Sequence, residues 1–218
     1  MRECCAIDAH FTSDKARSQR EELERNGPPE ETRLLAEALA DAGAAGCTIL
    51  DVGAGIGIVT ERLLASGARS GVLVEASSAY LDAAARYAAQ RGLSDRLDFR
   101  HGDFVEIAAT VASADIVALD KVICCYPEMR ALVEQSAARA KWLLGATYPR
   151  DNWLVRTVIG FENLVRRFRG NPFRGYVHPV VEIEALLRAS GFELRSLDQT
   201  RFWRVVVFVR PQDTRAIE

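Results

Sequence analysis

Apolar residues fall into two kinds of run along this chain. Short, nearly unbroken runs alternate with longer stretches whose apolar positions recur every three or four residues. The first kind is the signature of buried strands and the second of amphipathic helices. "CTILDVG", "SGVLVEAS", "LDFRHGDF", "ADIVALDKVICC" and "KWLLGATYP" read as five strands. "GIVTERLLASG", "AYLDAAARYAAQRGL" and "PEMRALVEQSAARA" read as the helices between them, with Pro127 near the start of the last. Strands apolar on both faces, separated by helices, imply a parallel sheet covered on both sides. The expected fold class is therefore α/β, a doubly wound sheet with helices on both faces. The pattern then changes. After the helix "VEIEALLRASGF", the stretch "ELRSLDQTRFWRVVVFVRP" reads as two strands with no helix between, an antiparallel pair at the end of the sheet.

Two further segments stand outside this alternation. Leu34, Leu35, Ala38 and Leu39 predict a helix over residues 30–42, and a highly charged helix is expected over about residues 13–25. Residues 1–29 read as an N-terminal helical lid on a domain spanning 30–218. Residues 151–179 interrupt the alternation after the fifth strand with an amphipathic, arginine-rich insertion. An insertion at a strand's carboxyl end is placed to cap a site.

Composition narrows the class. With 28 basic and 30 acidic residues the formal net charge is −2, which argues against a broad nucleic-acid footprint. No apolar run reaches the roughly 18 residues of a membrane span. The N-terminus lacks an apolar signal core, so a cytoplasmic location is expected. The five cysteines (Cys4, Cys5, Cys47, Cys124 and Cys125) are an odd set that suits reduced thiols. Neither adjacent pair has chelating spacing, because neighbouring side chains diverge in a strand, so no metal site is assigned. Cys4 and Cys5 with His10 form the one weak metal-ligating cluster.

The chemistry-bearing motif is "ILDVGAGIG", residues 49–57. Gly53, Ala54, Gly55 and Gly57 follow a strand and open a helix, where glycine permits a tight turn and close approach of a ligand. The spacing is GxGxG, not the GxGxxG of dinucleotide binders. Asp51 sits just before the turn, where a carboxylate favours a cationic or amino-acid ligand over a pyrophosphate. Both features oppose a nicotinamide oxidoreductase and favour S-adenosylmethionine. Glu75 ends the second strand, 18 residues past Gly57, placed to accept both hydroxyls of a ribose. "HGDF" after the third strand supplies Asp103 for an adenine amino group and Phe104 to pack on the base.

With these motifs in order, and "ADIVALDKV" after them, the sequence resembles the class I S-adenosylmethionine-dependent methyltransferases over about residues 30–210. The resemblance implies a Rossmann-like sheet of seven strands with the last antiparallel. It also implies S-adenosyl-L-methionine as cofactor and S-adenosyl-L-homocysteine as product. Asp51, Gly53, Gly55 and Gly57 would hold the methionine part, Glu75 the ribose, and Asp103 and Phe104 the adenine, with Ala54 and Asp120 alongside. Within the superfamily, "HFTSDKARSQREEL", the "YP" after the fourth and fifth strands, and "GYVHP" resemble the magnesium-protoporphyrin O-methyltransferase branch and small bacterial relatives. Nitrogen-methylating relatives often carry an Asn-Pro-Pro-Tyr type sequence where this chain has "CCYP", which points to an oxygen or carbon acceptor.

The resemblance places Cys124, Cys125 and Tyr126 at the carboxyl end of the fourth strand, facing the methyl group or its acceptor. The thiols there are small apolar lining groups, soft ligands for a metalloid such as arsenite, or redox-sensitive groups. Tyr148, Tyr176 and His178 are the candidate bases for an acceptor that must lose a proton. Arg174 is a candidate for binding an anionic acceptor. The expected function is methyl transfer to a small molecule by a monomer or homodimer. The rival readings are a metalloid methyltransferase using Cys124 and Cys125, and a non-catalytic cofactor-binding sensor.

Overall fold

The computed structural model describes residues 7–211. Residues 7–10 form a helical turn, followed by α1 (Ser13–Asn26) and α2 (Glu30–Gly43). The alternating region then gives β1 (Thr48–Val52), α3 (Ile58–Ala65), β2 (Ser70–Glu75), α4 (Ser78–Gln90), β3 (Leu97–His101), the short α5 (Phe104–Ile107) and β4 (Ala114–Asp120). It continues through α6 (Met129–Arg139), β5 (Ala140–Pro149), α7 (Trp153–Phe168), α8 (Val180–Ala189), β6 (Glu193–Gln199) and β7 (Trp203–Val209).

The seven strands form one sheet in the order β3-β2-β1-β4-β5-β7-β6. The first five are parallel, and β7 runs antiparallel between β5 and β6. This is the expected doubly wound sheet with its last strand reversed. The strand order reverses between β1 and β4, and a crevice opens there at the carboxyl ends of the strands.

Strand alternation sorts the core into two layers, because successive side chains leave opposite faces of a strand. On one face Val117, Leu119, Leu144, Ala146, Val206 and Phe208 pack with Leu132 and Val133 of α6 and Ile183 and Leu187 of α8. On the other, Ile49, Ile116, Ala118, Leu143 and Val205 pack with Leu35 and Leu39 of α2 and with Val59 and Leu63 of α3. A smaller cluster joins Ala16 of α1 to Ile56, Ile58, Tyr80 and Ala83, with Phe11 against it. The N-terminal segment is thus packed over the carboxyl ends of β1 and β2. The Ser77 hydroxyl donates to the Phe11 carbonyl (2.7 Å), and Ser78 donates to Asp8 through its backbone N–H (3.1 Å).

One strand differs from expectation. "ADIVALDKVICC" does not run extended to Cys125; β4 stops at Asp120. Lys121 has φ +56°, the left-handed region, and is the one non-glycine residue there among those described. The chain then turns through a 3₁₀ turn, Ile123–Cys125. The two thiols consequently converge instead of diverging. Both donate to the Lys121 carbonyl, at 3.2 and 3.3 Å, and their sulfurs lie 3.9 Å apart. Cys4 and Cys5 lie outside the described residues, so the cluster suggested with His10 does too. The His10 ring itself stacks on Phe173, with centroids 4.2 Å apart.

The insertion is the helix α7 followed by an irregular return over 169–179. Asn152 caps α7 by accepting from the Val155 N–H (3.0 Å). The return lies against the N-terminal segment and the thiol turn. Asn171 hydrogen-bonds His10 (3.0 Å), and the Tyr176 N–H donates to the Cys124 carbonyl (2.8 Å).

Candidate active site

The crevice is lined from four strand ends and two covering segments. Val52–Ile56 and Ile58 come from the glycine turn, Glu75 and Ala76 from β2, Gly102–Phe104 from the turn after β3, and Asp120–Val122, Cys125 and Tyr126 from the end of β4. Ile7, Phe11 and Gln19 of the N-terminal segment and Tyr80 of α4 close it.

The glycine turn is required by its backbone and its neighbours. Gly53 has φ +65°, and a Cβ there would lie 2.5 Å from Val122 Cγ2. Its N–H donates to the Val74 carbonyl (2.8 Å), so the turn is stitched to β2. Gly55, at φ +58°, turns its N–H onto Glu75 Oε2 (2.8 Å). The Ser77 N–H holds the other Glu75 oxygen (2.9 Å). Glu75 is therefore fixed at the edge of the crevice by two backbone donors. Burial nevertheless raises its pKa above the ordinary carboxylate value.

Two more carboxylates sit nearby. Asp51 is buried, and its Oδ2 accepts from the Thr60 hydroxyl (2.8 Å). Asp120 Oδ2 accepts from the Thr32 hydroxyl (2.7 Å). The remaining oxygen of each, Oδ1, is buried with no partner among the described residues. Burial pushes the Asp51 carboxyl up to about 7, with the charges of Asp120 and Glu75 adding to it. Glu75 and Asp120 line the crevice, whereas Asp51 lies outside the lining, buried behind the glycine turn; together they complement a cation, and the two orphaned oxygens are acceptors without donors. A ligand ammonium would supply such donors and a sulfonium a complementary charge; a pyrophosphate supplies neither.

Asp103 is more occupied than its expected adenine role implies. It caps α5 through the Val105 N–H (2.9 Å), and the Tyr126 hydroxyl spans both its oxygens at 2.9 and 2.8 Å. A carboxylate has about four lone-pair sites, so one remains for an amino group. Phe104 is buried in the crevice wall.

Several predicted positions fall elsewhere. Gly57 is outside the lining; it begins α3 at φ +82°, and a Cβ there would meet Leu73 Cδ2 at 2.9 Å, so its role is packing. Cys124 is buried behind Cys125, which alone of the two lines the crevice. The hydrogen bond with Cys125, and then burial, push the Cys124 thiol well above its ordinary pKa, so it remains protonated near neutrality. Tyr148 points into the core layer under α8 with 1% exposure, where burial and the Glu184 charge push its hydroxyl pKa up. It is not placed to act as a base. His178 lies outside the lining, its Nε2 donating to the Tyr126 carbonyl (2.9 Å), and burial lowers its pKa. Tyr176 stacks on His178, with centroids 5.6 Å apart. Arg174 donates to the carbonyls of Asn171 and Phe173 in its own loop (2.6 and 2.7 Å). The candidate bases and Arg174 thus brace the cap and the core and do not face the crevice.

Other residues were not foreseen. Thr60 lies in the first turn of α3, nine residues after Asp51, and that fixed offset from the glycine turn was the only local signal. Thr32 is 88 residues from Asp120, and no pattern in the sequence joins them. Lys121 lines the crevice, and its ammonium is 3.2 Å from Glu31.

Comparison with known proteins agrees with this geometry. Residues 49–141 match the family model described as a methyltransferase domain. That match spans less than half of the chain, and over the whole chain the fold is that of the class I S-adenosylmethionine-dependent methyltransferases. Among solved structures it is similar to magnesium protoporphyrin IX methyltransferase from Synechocystis. With bound S-adenosylhomocysteine that structure has a TM-score of 0.70 at 19% identity, covering 94% of this chain and 98% of that one. With bound S-adenosylmethionine the TM-score is 0.71 at 18% identity, covering 96% and 97%. An O-methyltransferase family protein from Burkholderia thailandensis gives 0.69 at 17% identity, covering 91% of this chain and 58% of that one. An O-methyltransferase family 2 protein from Planctomyces limnophilus, in complex with apigenin, gives 0.61 at 19% identity, covering 88% and 64%. No curated protein sequence matches the chain significantly. No helix among the described residues is long and apolar enough to cross a membrane.

Proposed function

We propose that this class I methyltransferase methylates a small-molecule acceptor at oxygen or carbon, in the cytoplasm. The observation that carries the reading is the pair of buried, unpartnered carboxylate oxygens on Asp51 and Asp120 beside the glycine turn. Asp51 and Asp120 would hold the cationic end of S-adenosylmethionine, Glu75 its ribose, and Asp103 with Phe104 its adenine. When bound, the cofactor would supply a methyl group activated by its sulfonium for transfer to a nucleophilic oxygen or carbon.

The protein's own part is alignment and exclusion of water. Phe11, Ile56, Tyr80 and Val122 form apolar walls, and Cys125, which also lines the crevice, would face the acceptor. No histidine lines the crevice among the described residues. That favours an acceptor oxygen already ionised, such as a carboxylate, which needs no strong base. Lys121, which lines the crevice and is balanced by Glu31, would be the cation that orients it. The small molecules named for the similar solved structures, magnesium protoporphyrin IX in an enzyme's name and apigenin as a bound ligand, suit the same class.

The converged thiols support a second reading, methylation of a thiophilic metalloid. Against it stand the protonated Cys124 and the lack, among the described residues, of three metal-ligating groups in one cluster.

Calorimetric titration with S-adenosylmethionine and S-adenosylhomocysteine, with NAD as control, tests the cofactor reading. Micromolar binding of both adenosyl ligands and none of NAD is expected. No binding of either overturns it. A methylation screen over carboxylated porphyrins, phenols and arsenite then separates the two acceptor readings.

A further inference from the structure

Nine large apolar side chains are exposed among the described residues, and five of them lie on α7: Trp153 (78% exposed), Val158, Phe161 (66%), Leu164 and Phe168 (83%). At 100° per residue, Trp153, Leu164, Phe168 and Phe161 fall within one sector of about 80°, with the small Thr157 and Gly160 beside them. The opposite side carries buried Val155 and half-buried Ile159, the face that packs inward. This helix therefore has two apolar faces, and only one of them is covered.

The rims of the uncovered face are basic. Arg156 and Arg167 project from one side of it and Arg169 from the other, all exposed. Residues 151–179 hold five arginines against Asp151 and Glu162. Those two acids are already paired, to Arg156 (2.7 Å) and Arg166 (2.6 Å). Arg167 and Arg169 make no ion pair among the described residues. Near the start of α7 the patch continues to partly exposed Phe202, whose carbonyl accepts from the Arg150 N–H (2.9 Å) and whose ring lies under Arg201.

We propose that the outer face of α7 docks on an anionic lipid surface, lying in the interface without spanning it. Tryptophan, phenylalanine and leucine on one face, with arginines on its rims, are what such a helix presents to acyl chains and headgroups. A second copy of the chain would bring the same unpaired arginines to the contact and no free acid from this segment; an anionic bilayer accepts both the rings and the charges. Docking here also sets the crevice beside the lipid. α7 holds the return loop through Asn163 and Gly175 (2.7 and 2.8 Å) and through Arg166 over Phe173. Phe173 packs edge-on against Phe11 of the crevice lining, at 5.4 Å. An amphipathic acceptor, its apolar body in the bilayer and its carboxylate at the headgroups, would thus meet the site without crossing bulk water.

The test is flotation of the full chain with vesicles of phosphatidylcholine alone or with about 30% phosphatidylglycerol, at low and high salt. Partition about tenfold stronger onto the anionic vesicles, and weakened by salt, is expected. Trp153→Ser/Phe161→Ser/Phe168→Ser should reduce it at least about tenfold, and Arg167→Gln/Arg169→Gln should remove the preference for anionic lipid. Cofactor titration and melting of each variant check that the fold is intact. If the triple variant misfolds, quenching of tryptophan emission by brominated lipid in the native chain, where Trp153 is exposed and Trp142 and Trp203 are half-buried, decides the matter. No partition of the native chain at low salt, or partition unchanged by both sets of substitutions, overturns the proposal. So does a dimer in light scattering that the triple variant dissolves, which would assign the face to a second copy. None of these readouts uses turnover, so the outcome is separate from the acceptor question.

Discussion

The floor of the crevice and its cap are built by opposite means. On the floor, Asp51, Glu75 and Asp120 stand at or near strand ends, each oriented by a short bond to a threonine or a backbone N–H, and two keep an oxygen free. In the cap, Arg174 and His178 donate to backbone carbonyls, Tyr176 donates its backbone N–H to Cys124 and stacks its ring on His178, and the outward surface is apolar. The floor is shaped for a cation inside. The cap is a brace on its inner side and a contact surface on its outer one. Polar residue types alone do not separate these roles; what separates them is whether an acceptor or donor is left over.

The substitution expected to show the difference most strongly is Asp51→Ala. It should weaken S-adenosylmethionine binding by about 100-fold or more, ~2.7 kcal/mol, because a cation loses its buried partner. Calorimetry reads this directly, and retained micromolar binding would break the account of the floor.

The same residue predicts a pH dependence. Its folded pKa of about 7 lies above the ordinary carboxylate value. Its contribution therefore favours folding at low pH and is lost as the pH rises through about 7. Asp51→Asn should gain stability over the native protein between about pH 5 and 8, by several kcal/mol at most. A cationic ligand prefers the ionised form, so native cofactor affinity should climb to about pH 7 and then level off. The Asn variant should show no such climb. Denaturant melts and titrations across that range check both signs.

Next in size is Gly53→Ala, which places a Cβ 2.5 Å from Val122 on a left-handed backbone. A loss of about 2 kcal/mol, or ~4–8 °C in Tm, is expected. The double change Gly53→Ala/Val122→Ala should recover the part due to the clash and leave the backbone strain. Thr32→Val strips Asp120 of its hydroxyl partner and should cost about 1 kcal/mol in stability, with a small change in cofactor affinity. The smallest effect belongs to the cap. His178→Gln should change kcat by less than about threefold, where loss of a general base would cost at least about 100-fold. A large loss would return His178 to the chemistry and erase the contrast between the two regions.

The legible parts of the molecule were those written locally. The glycine turn, Glu75 and the strand-helix alternation each follow from residues adjacent in the chain, and the reversal of β7 followed from two strands with no helix between. Tyr148 was misread although the information was present: it shares alternation parity with Leu144 and Ala146, which face the core layer under α8. The thiol turn was misread because a left-handed Lys121 has no sequence signal comparable to glycine's. Thr32 was beyond reach, since its bond to Asp120 depends on how α2 docks, not on either residue's neighbours.

The two ties from α2 to the end of β4, Thr32 to Asp120 and Glu31 to Lys121, span 88 and 90 residues of chain. They bear on the order in which the molecule assembles. Contacts of such separation carry a large loop-closure cost and form after local ones. A chain structured only as far as β3 would own the glycine turn and Glu75 but not the Asp120 side of the floor. Competence to bind cofactor should thus be acquired late, when β4 slots beside β1, and refolding followed by ligand binding should lag refolding followed by helix formation.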